Sequence, residues 1–556
     1  MKLSKYETLL SLINSDGIAS GEFALINGLY GAVDMISPDE ANIISRAMND
    51  PSMLESLNPS RITLLAERGH ITLNEAREDE DLRIISRLNT MLQKRNGVGI
   101  VLLPTYNCNF RCTYCYERHR LERGNEWLER SMSRKLVDAI FSQLRNYKQR
   151  GFILTSCTLF GGEPLLAGNE ELIRYICGKC RELNMSVSAI TNGYYLDKFI
   201  DIITEYKFTS LQITIDGTED VHNRMRPLAG GGKSYAKIME NVKLALEHDV
   251  RISIRVNVNR TNLSGIRAFI DELKSTGLTE YKNFSFYFKS AFEYYMPSGK
   301  NIVRDSEIVN ELVRTGSSYM GAVRLESAYS SVAAKIAGWL NKRAWPSMNT
   351  TFCGAEGGMN VIDANGLIYP CWNIVARDDK AIGFVEDDAD DGRFMYDFSM
   401  SKWRTRTVDR MHPCRTCPVL MLCGGGCAAE NSDNLNEGTC EDFKEIYAEV
   451  APRLIWKVRH ERLNFDDSAA KEADKPDNVN ISESLKVRSK FADYDECLSL
   501  SLREVLSEFT ADERKVLMST NNERDVFDIL KAHEFFASST SLSSINISSN
   551  FIGRPK

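Results

Sequence analysis

Between residues 98 and 290, short apolar runs alternate with longer stretches whose apolar positions recur at helical spacing. The runs Val98–Leu103, Ile153–Phe160, Ser186–Thr191, Ser210–Ile215, Ile252–Val258 and Phe284–Phe288 read as strands. Ser133–Tyr147 and Ser264–Ser275, which lie between such runs, read as amphipathic helices. Six strand–helix units in succession predict an α/β fold with a parallel sheet, either doubly wound or an incomplete barrel. In both arrangements reactive groups collect at the carboxyl ends of the strands.

The flanks have other textures. Residues 1–95 read as a small winged-helix-like domain. Within it, Ser37-Pro38-Asp39-Glu40 has the form of a helix start, with Ser as cap, Pro in the first turn and Glu three residues on. From Ile62 to Leu73 the pattern gives a short helix, a stop at Arg68-Gly69 and then a strand. Residues 96–290 hold the alternating domain, and 291–352 read as a helical linker. Residues 353–464 are dense in Cys and Gly and poor in regular pattern up to about residue 440, as expected of a domain organised around inorganic clusters. Residues 465–556 form an extension: a polar linker over 465–480, a helical segment over 481–536, and a Ser-rich tail.

Composition narrows the function classes. A chain of 556 residues calls for three or four domains, and 43% hydrophobic with 26% charged residues is ordinary for soluble protein. No run of about eighteen apolar residues occurs, and the start lacks the apolar core of a secretory signal. The expectation is a cytoplasmic protein without a membrane partner. A formal net charge of -7 disfavours a nucleic-acid partner held by a broad basic face. Fourteen Cys against seven His, in a reducing compartment, point to metal or cluster ligation by thiolate.

The first cysteine array stands directly after the first predicted strand. Cys108, Cys112 and Cys115 are spaced CX3CX2C. Three thiolates on one tight loop can hold three irons of a 4Fe–4S cluster and leave the fourth without a protein ligand. Zinc, or a cluster completed from elsewhere, is the bland alternative for this triplet taken alone. With an aromatic, Tyr114, before the last Cys, the array resembles the signature of the radical S-adenosylmethionine superfamily. Further segments follow in that family's order. Gly161-Gly162-Glu163-Pro164 ends the second strand and is similar to the motif that holds the cofactor's amino group. Asn192 and Asp216 stand at the ends of the third and fourth strands, and His222, Arg224, Arg226 and Arg255 come after. The resemblance implies a partial (β/α)6 TIM-like barrel and S-adenosylmethionine chelated to the vacant iron. It also implies a 5′-deoxyadenosyl radical that takes a substrate hydrogen. Tyr114 would lie near the adenine, and Arg224 or Arg255 would meet the cofactor's carboxylate.

The second cysteine region adds Cys353, then Cys371 at the end of a GX4C, then Cys414, Cys417, Cys423, Cys427 and Cys440. Taken alone, Cys414 to Cys427 also fit a zinc ribbon, which leaves the other three unused. The whole string CX2CX5CX3C with a closing Cys resembles the SPASM auxiliary-cluster domain of peptide-modifying radical enzymes. The resemblance implies two auxiliary 4Fe–4S clusters, three in all. Cys414, Cys417, Cys423 and Cys440 would hold one, and Cys353, Cys371 and Cys427 the other, with an open iron for a substrate thiolate. The remaining thiols, Cys157, Cys177, Cys180 and Cys497, read as packing.

Three functions compete. The favoured one is maturation of a ribosomally made precursor peptide by an intramolecular cross-link, thioether foremost, with a flavodoxin or ferredoxin as electron donor. The second is sulfatase maturation by formylglycine formation. That family's resemblance calls for an Asp after the GX4C cysteine, whereas Trp372-Asn373 stand there. The third is a non-enzymatic iron–sulfur or zinc protein. Residues 1–95 resemble peptide-recognition elements, in which an exposed strand binds a leader by β-addition.

Overall fold

The computed structural model describes residues 1–93, 97–115, 117, 123–291, 301–314, 328–340, 346, 348–387, 392–439, 441–461, 494–519 and 523–532. The chain divides into two compact units. One comprises Met1–Asn96, Ser331–Cys353 and Arg406–Lys556, and the other Gly97–Ser330 and Gly354–Thr405.

The first unit opens on three antiparallel strands, β1 (Glu7–Ile13), β2 (Ala19–Asn27) and β3 (Val33–Ile36), paired in that order. Helix α1 (Pro38–Ala47) begins where the sequence places it: Ser37 Oγ accepts from Glu40 N at 3.2 Å, and the Glu40 carboxylate accepts from Ser37 N at 2.8 Å. Helix α2 (Pro59–Arg68) stops at Gly69, whose φ of 93° is left-handed and whose missing Cβ would meet the Tyr30 ring at 2.3 Å. The pair Ile71–Thr72 and Lys2–Leu3 and then helix α3 (Glu75–Gln93) follow. Leu25, Ile36, Ile44, Leu54 and Leu65 form the core between this sheet and its helices.

The second unit is built on six parallel strands: β4 (Val98–Leu102), β5 (Leu154–Leu159), β6 (Ser186–Thr191), β7 (Ser210–Thr214), β8 (Ile252–Val258) and β9 (Phe284–Ser290). Helices α4 (Arg134–Gln149), α5 (Glu170–Glu182), α6 (Leu196–Glu205), α7 (Glu219–Met225), α8 (Tyr235–Glu247) and α9 (Ile266–Ser275) lie between them. Ser133 caps α4 by accepting from Leu136 N at 3.1 Å. Each strand pairs with its successor, β4 to β9 without a reversal. A doubly wound sheet needs such a reversal, so the sequential order is that of an opened barrel.

The cysteine-rich segment holds regular structure that its pattern does not display. Residues 354–405 continue the same sheet through β10 (Asn360–Ile362), β11 (Leu367–Tyr369), β12 (Gly383–Glu386) and β13 (Arg393–Tyr396). β10 runs parallel to β4, with Val361 opposite Val101, and β11 to β13 follow as an antiparallel meander. Val101, Leu103 and Tyr106 share a core with Val361, Tyr369 and Val375. Strands of three or four residues are too short to show an alternation in sequence.

The rest of the first unit returns to its amino-terminal sheet. Helix α10 (Glu441–Glu461) packs along β1, and His460 Nε2 meets Glu22 Oε2 at 2.8 Å. Helices α11 (Leu502–Leu506), α12 (Ala511–Ser519) and α13 (Glu523–Ala532) come from the extension; α11 rests on α2 and α12 on α3. Arg514 and Arg503 both pair with the buried Asp81 of α3, Arg503 at 2.9 Å. The expected linker over 465–480 and the Ser-rich tail lie outside the described residues. No described helix is long and apolar enough to cross a membrane.

Candidate active site

The carboxyl ends of β4 to β8 converge on the first cysteine loop. After β4 the chain runs through residues 103–115 and is fastened by a short antiparallel contact to the segment after α7. Arg111 N donates to Pro227 O at 2.8 Å, Thr113 N to Met225 O at 2.9 Å, and Ala229 N to Asn109 O at 2.8 Å. Cys108, Cys112 and Cys115 are half-buried on this loop. Asn107 Oδ1 accepts from Cys108 N at 2.9 Å, and Asn192 Nδ2 bonds Asn109 Oδ1 at 2.8 Å and reaches to 4.0 Å from the Cys108 sulfur.

Among the described residues no three His, Cys, Asp or Glu side chains stand at metal-ligand spacing; the thiols share a loop rather than a preformed cage. Their chemistry nonetheless fits an iron–sulfur cluster. Burial pushes the Cys108 thiol up and the Cys112 thiol to about 12, and repulsion between neighbouring thiolates adds to both. Three such groups become thiolates together only against concentrated positive charge, which a multi-iron centre supplies.

Glu163 is anchored by protein donors at the end of β5. Its carboxylate is buried and accepts three bonds, from Thr191 Oγ1 at 2.6 Å, Asn192 N at 2.7 Å and Leu165 N at 2.9 Å. It ties the end of β5 to the end of β6. Gly162 is required by close approach: a Cβ there would lie 2.3 Å from Asn107 O and 2.4 Å from Tyr106 O. Gly161, at φ 121°, lets the turn pass beneath the cysteine loop.

A buried polar network closes the other side. The Tyr114 hydroxyl donates to Asp216 Oδ2 and accepts from Arg226 Nη1 at 2.7 Å and Asn257 Nδ2 at 3.1 Å. Asp216 also accepts from Asn257 N at 2.9 Å, and burial holds its carboxyl above the usual range, against the pull of Arg226. His222 is neutral, pushed down to about 3 by burial and by Arg226, and bridges Asp216 N to Ser234 Oγ. Tyr114 is thus saturated by protein groups.

Where the sequence points to Arg224 or Arg255, the structure brings Arg226 to the site instead. Arg224 is exposed on α7, whereas Arg226 caps the helix end with non-helical φ -127° and ψ 63°. Arg255 is half-buried, its Nε donating to Asn257 Oδ1 at 2.8 Å. Arg226 is 8% exposed, its guanidinium lies over the Phe110 ring, and its Nε is buried without a protein partner. Only the pairing of 109–113 with 225–229 reveals this, and no local pattern signals it.

The second cysteine region is divided between the units. Cys371 belongs to the barrel unit, buried at the start of the turn Trp372–Ile374, with Asn373 N directed at its sulfur at 3.5 Å. Trp372, at the position where sulfatase-maturing relatives were expected to carry Asp, tilts against Phe160. Cys353 is exposed, Cys414, Cys417 and Cys423 are buried and Cys427 is half-buried, all in the other unit. Cys440 lies outside the described residues. Gly424, Gly425 and Gly426 all take left-handed φ, and Arg406 donates to the carbonyls of Gly425 at 2.9 Å and Gly426 at 3.1 Å. A Cβ on Gly426 would sit 2.0 Å from Thr439 O, so the turn between Cys423 and Cys427 admits only glycine. Cys157, Cys177 and Cys180 are fully buried beside one another on β5 and α5.

Comparison with known proteins gives this geometry a context. The Radical SAM superfamily profile matches residues 102–282. The cysteine-type anaerobic sulfatase-maturating enzyme of Clostridium novyi (strain NT) is 23% identical over 379 residues, covering 64% of this chain and 95% of its own. The serine-type anaerobic sulfatase-maturating enzyme of Klebsiella aerogenes is 22% identical, covering 62% and 83%. Among solved structures, native anSMEcpe with bound AdoMet superposes with a TM-score of 0.51 at 20% identity, covering 64% of this chain and 98% of that one. Strands β5 to β8 and the thiol loop lie within the matched stretch, so the chain is an enzyme built on a radical SAM domain over residues 102–282.

Proposed function

We propose that the chain modifies a ribosomally made precursor peptide, most readily by an intramolecular thioether cross-link. The observation that carries this reading is the presence of two groups of thiols: Cys108, Cys112 and Cys115 on the loop after β4, and a second, mostly buried group from Cys353 onward. An enzyme that only cleaved its cofactor would need the first alone. When bound, S-adenosylmethionine and its cluster supply the one-electron chemistry that removes a substrate hydrogen.

The chain's own residues have distinct parts. Cys108, Cys112 and Cys115 hold the first cluster. Arg226, rather than Arg224 or Arg255, meets the cofactor's carboxylate, since it is the buried cation with a spare donor. Backbone groups of Gly161 and Gly162 face the amino group, with Glu163 fixing the turn that carries them. Tyr114, Asn192 and Asp216 position the loop. Cys414, Cys417, Cys423 and Cys440 hold one auxiliary cluster, and Cys353, Cys371 and Cys427 the second. A flavodoxin or ferredoxin supplies the electron, and the site of action is the cytoplasm.

A second reading is favoured by the named relatives: oxidation of a Cys or Ser in a protein substrate to formylglycine. Against it stands Trp372, packed on Phe160 where an acid/base group is wanted. The test is anaerobic, cluster-reconstituted enzyme with dithionite, S-adenosylmethionine and a Cys-containing precursor peptide encoded beside it. The expected result is 5′-deoxyadenosine together with a peptide lighter by two hydrogens and resistant to thiol alkylation. An aldehyde product would decide for the second reading. Cys112→Ala should form no 5′-deoxyadenosine.

A further inference from the structure

The edge of a sheet offers unpaired N–H and C=O groups to any extended chain. On β3 the chain's own residues 496–498 have taken them. Met35 N donates to Glu496 O at 2.7 Å, Leu498 N donates to Val33 O at 2.8 Å, and Asp34 faces Cys497 as its antiparallel partner. Ser499 continues the mimicry with its side chain, Oγ accepting from Val33 N at 2.7 Å and donating to Gly31 O at 2.8 Å. Leu502 N then reaches Tyr30 O at 3.0 Å.

The groove between β3 and α2 reads more than backbone. Cys497 is fully buried against Leu64 of α2, and its thiol bonds to Asp34. Leu500 is fully buried as well. Arg68, buried and held by Asp34 at 2.7 Å, gives Nη2 to Ser499 O at 2.9 Å. This is the recognition set of a strand-addition site: ladder bonds for affinity, a pocket for alternate side chains, and a fixed guanidinium for one carbonyl. The other long edge, on β1, is closed by α10. The occupant arrives from more than four hundred residues away in the sequence and makes only two ladder bonds, fewer than an ordinary strand makes.

We propose that residues 496–502 are an intrasteric occupant of the β3–α2 groove, displaced when a precursor peptide docks there. The fitting partner is an extended segment with Cys or another small residue at the Leu64 pocket, an apolar residue after it and Ser next. The identity of that partner rests on the peptide-maturation reading above; the groove itself does not. The expectation that the amino-terminal domain recruits a leader through an open edge is thereby changed, because recruitment has to be competitive.

The test uses a fluorescein-labelled peptide with the sequence of Tyr494–Leu502, titrated into the full-length reconstituted enzyme. Ser499→Ala removes the hydroxyl's bonds to Val33 N, Gly31 O and Arg68 Nη2, and by raising the fraction of open groove it should tighten apparent peptide binding about tenfold relative to the native chain. Leu498→Pro, which removes a ladder N–H, should tighten it at least as much. The probe carrying Leu498→Pro should not bind any of the three proteins. Equal binding by native and Ser499→Ala enzyme, or none by either, would overturn the proposal. Should Leu498→Pro fail to fold, amide exchange in the native enzyme decides: excess probe should expose the chain's own Leu498 amide while Met35 stays protected, and an unchanged Leu498 amide refutes competition. Formation of 5′-deoxyadenosine is read in parallel and should be unaffected by Ser499→Ala. Its absence from native enzyme would sink the functional reading, while probe binding would still decide whether the groove docks a peptide.

Discussion

Arg226 and Arg224 are two residues apart, and the structure assigns them opposite fates, so substituting each is a direct test of the site. Arg226→Gln keeps much of the side chain's bulk and removes its charge. It deletes the 2.7 Å bond to the Tyr114 hydroxyl and the cation 3.8 Å from Asp216. A hydrogen bond to a charged group contributes about 1.5–3 kcal/mol. Loss of one such bond to the cofactor's carboxylate therefore weakens binding by roughly ten- to a hundredfold. Asp216, already above the usual carboxyl range, loses the largest influence holding it down and becomes more readily protonated. Arg226→Lys should fall between, since it keeps charge but not the planar fork. Arg224→Gln, on an exposed side chain, should bind S-adenosylmethionine within about twofold of the native enzyme. Calorimetric titration of each reconstituted protein, with circular dichroism as a check on folding, reads the difference. If Arg226→Gln bound the cofactor normally, or Arg224→Gln were impaired as severely, the assignment would be wrong.

Other outcomes follow from separate features. Gly162→Ala forces a methyl into carbonyl oxygens 2.3 and 2.4 Å away, so the cysteine loop must move; purified protein should hold less iron and melt lower, which iron assay and calorimetry check. Cys417→Ala removes a buried thiol of the second set and should leave 5′-deoxyadenosine formation intact while abolishing the cross-link, as mass spectrometry of the peptide would show. His70 lies between Asp34 Oδ2 at 2.5 Å and Glu7 Oε2 at 2.9 Å, and these carboxylates raise it to about 9, above its ordinary 6.5. Its stabilisation is complete below pH 6.5 and lost as pH rises through 9, about 3 kcal/mol in all. Denaturant midpoints between those limits should fall with pH, and His70→Gln should flatten the slope.

Much of the barrel was legible because its strands are five to seven residues of apolar, β-branched sequence set between amphipathic helices. Ser186–Thr191 and Ile252–Val258 fall where the pattern puts them, and the others differ only at their ends. The thiol loop was legible from spacing alone. What the sequence concealed depends on contacts far along the chain. Asn360–Ile362 is a strand because β4 offers it an edge, not because three residues display a period. Arg226 enters the site because residues 225–229 zip against the cysteine loop. The protein partners of Glu163 emerge only once β6 is placed beside β5. The extension was opaque for the same reason: Arg503 and Arg514 have meaning only against Asp81.

The pairing of β10 with β4 bears on how such an enzyme can be dissected. The strand that launches the first thiol loop is flanked on one side by β5 and on the other by a strand some 260 residues downstream. A protein stopped at Ser290 would strip β4 of that neighbour and bare its hydrogen-bonding rim, inviting association between chains. The barrel unit therefore does not end with its sixth parallel strand but includes residues 354–405. Inheritance, engineering and truncation all have to treat the downstream meander as part of the reactive loop's foundation.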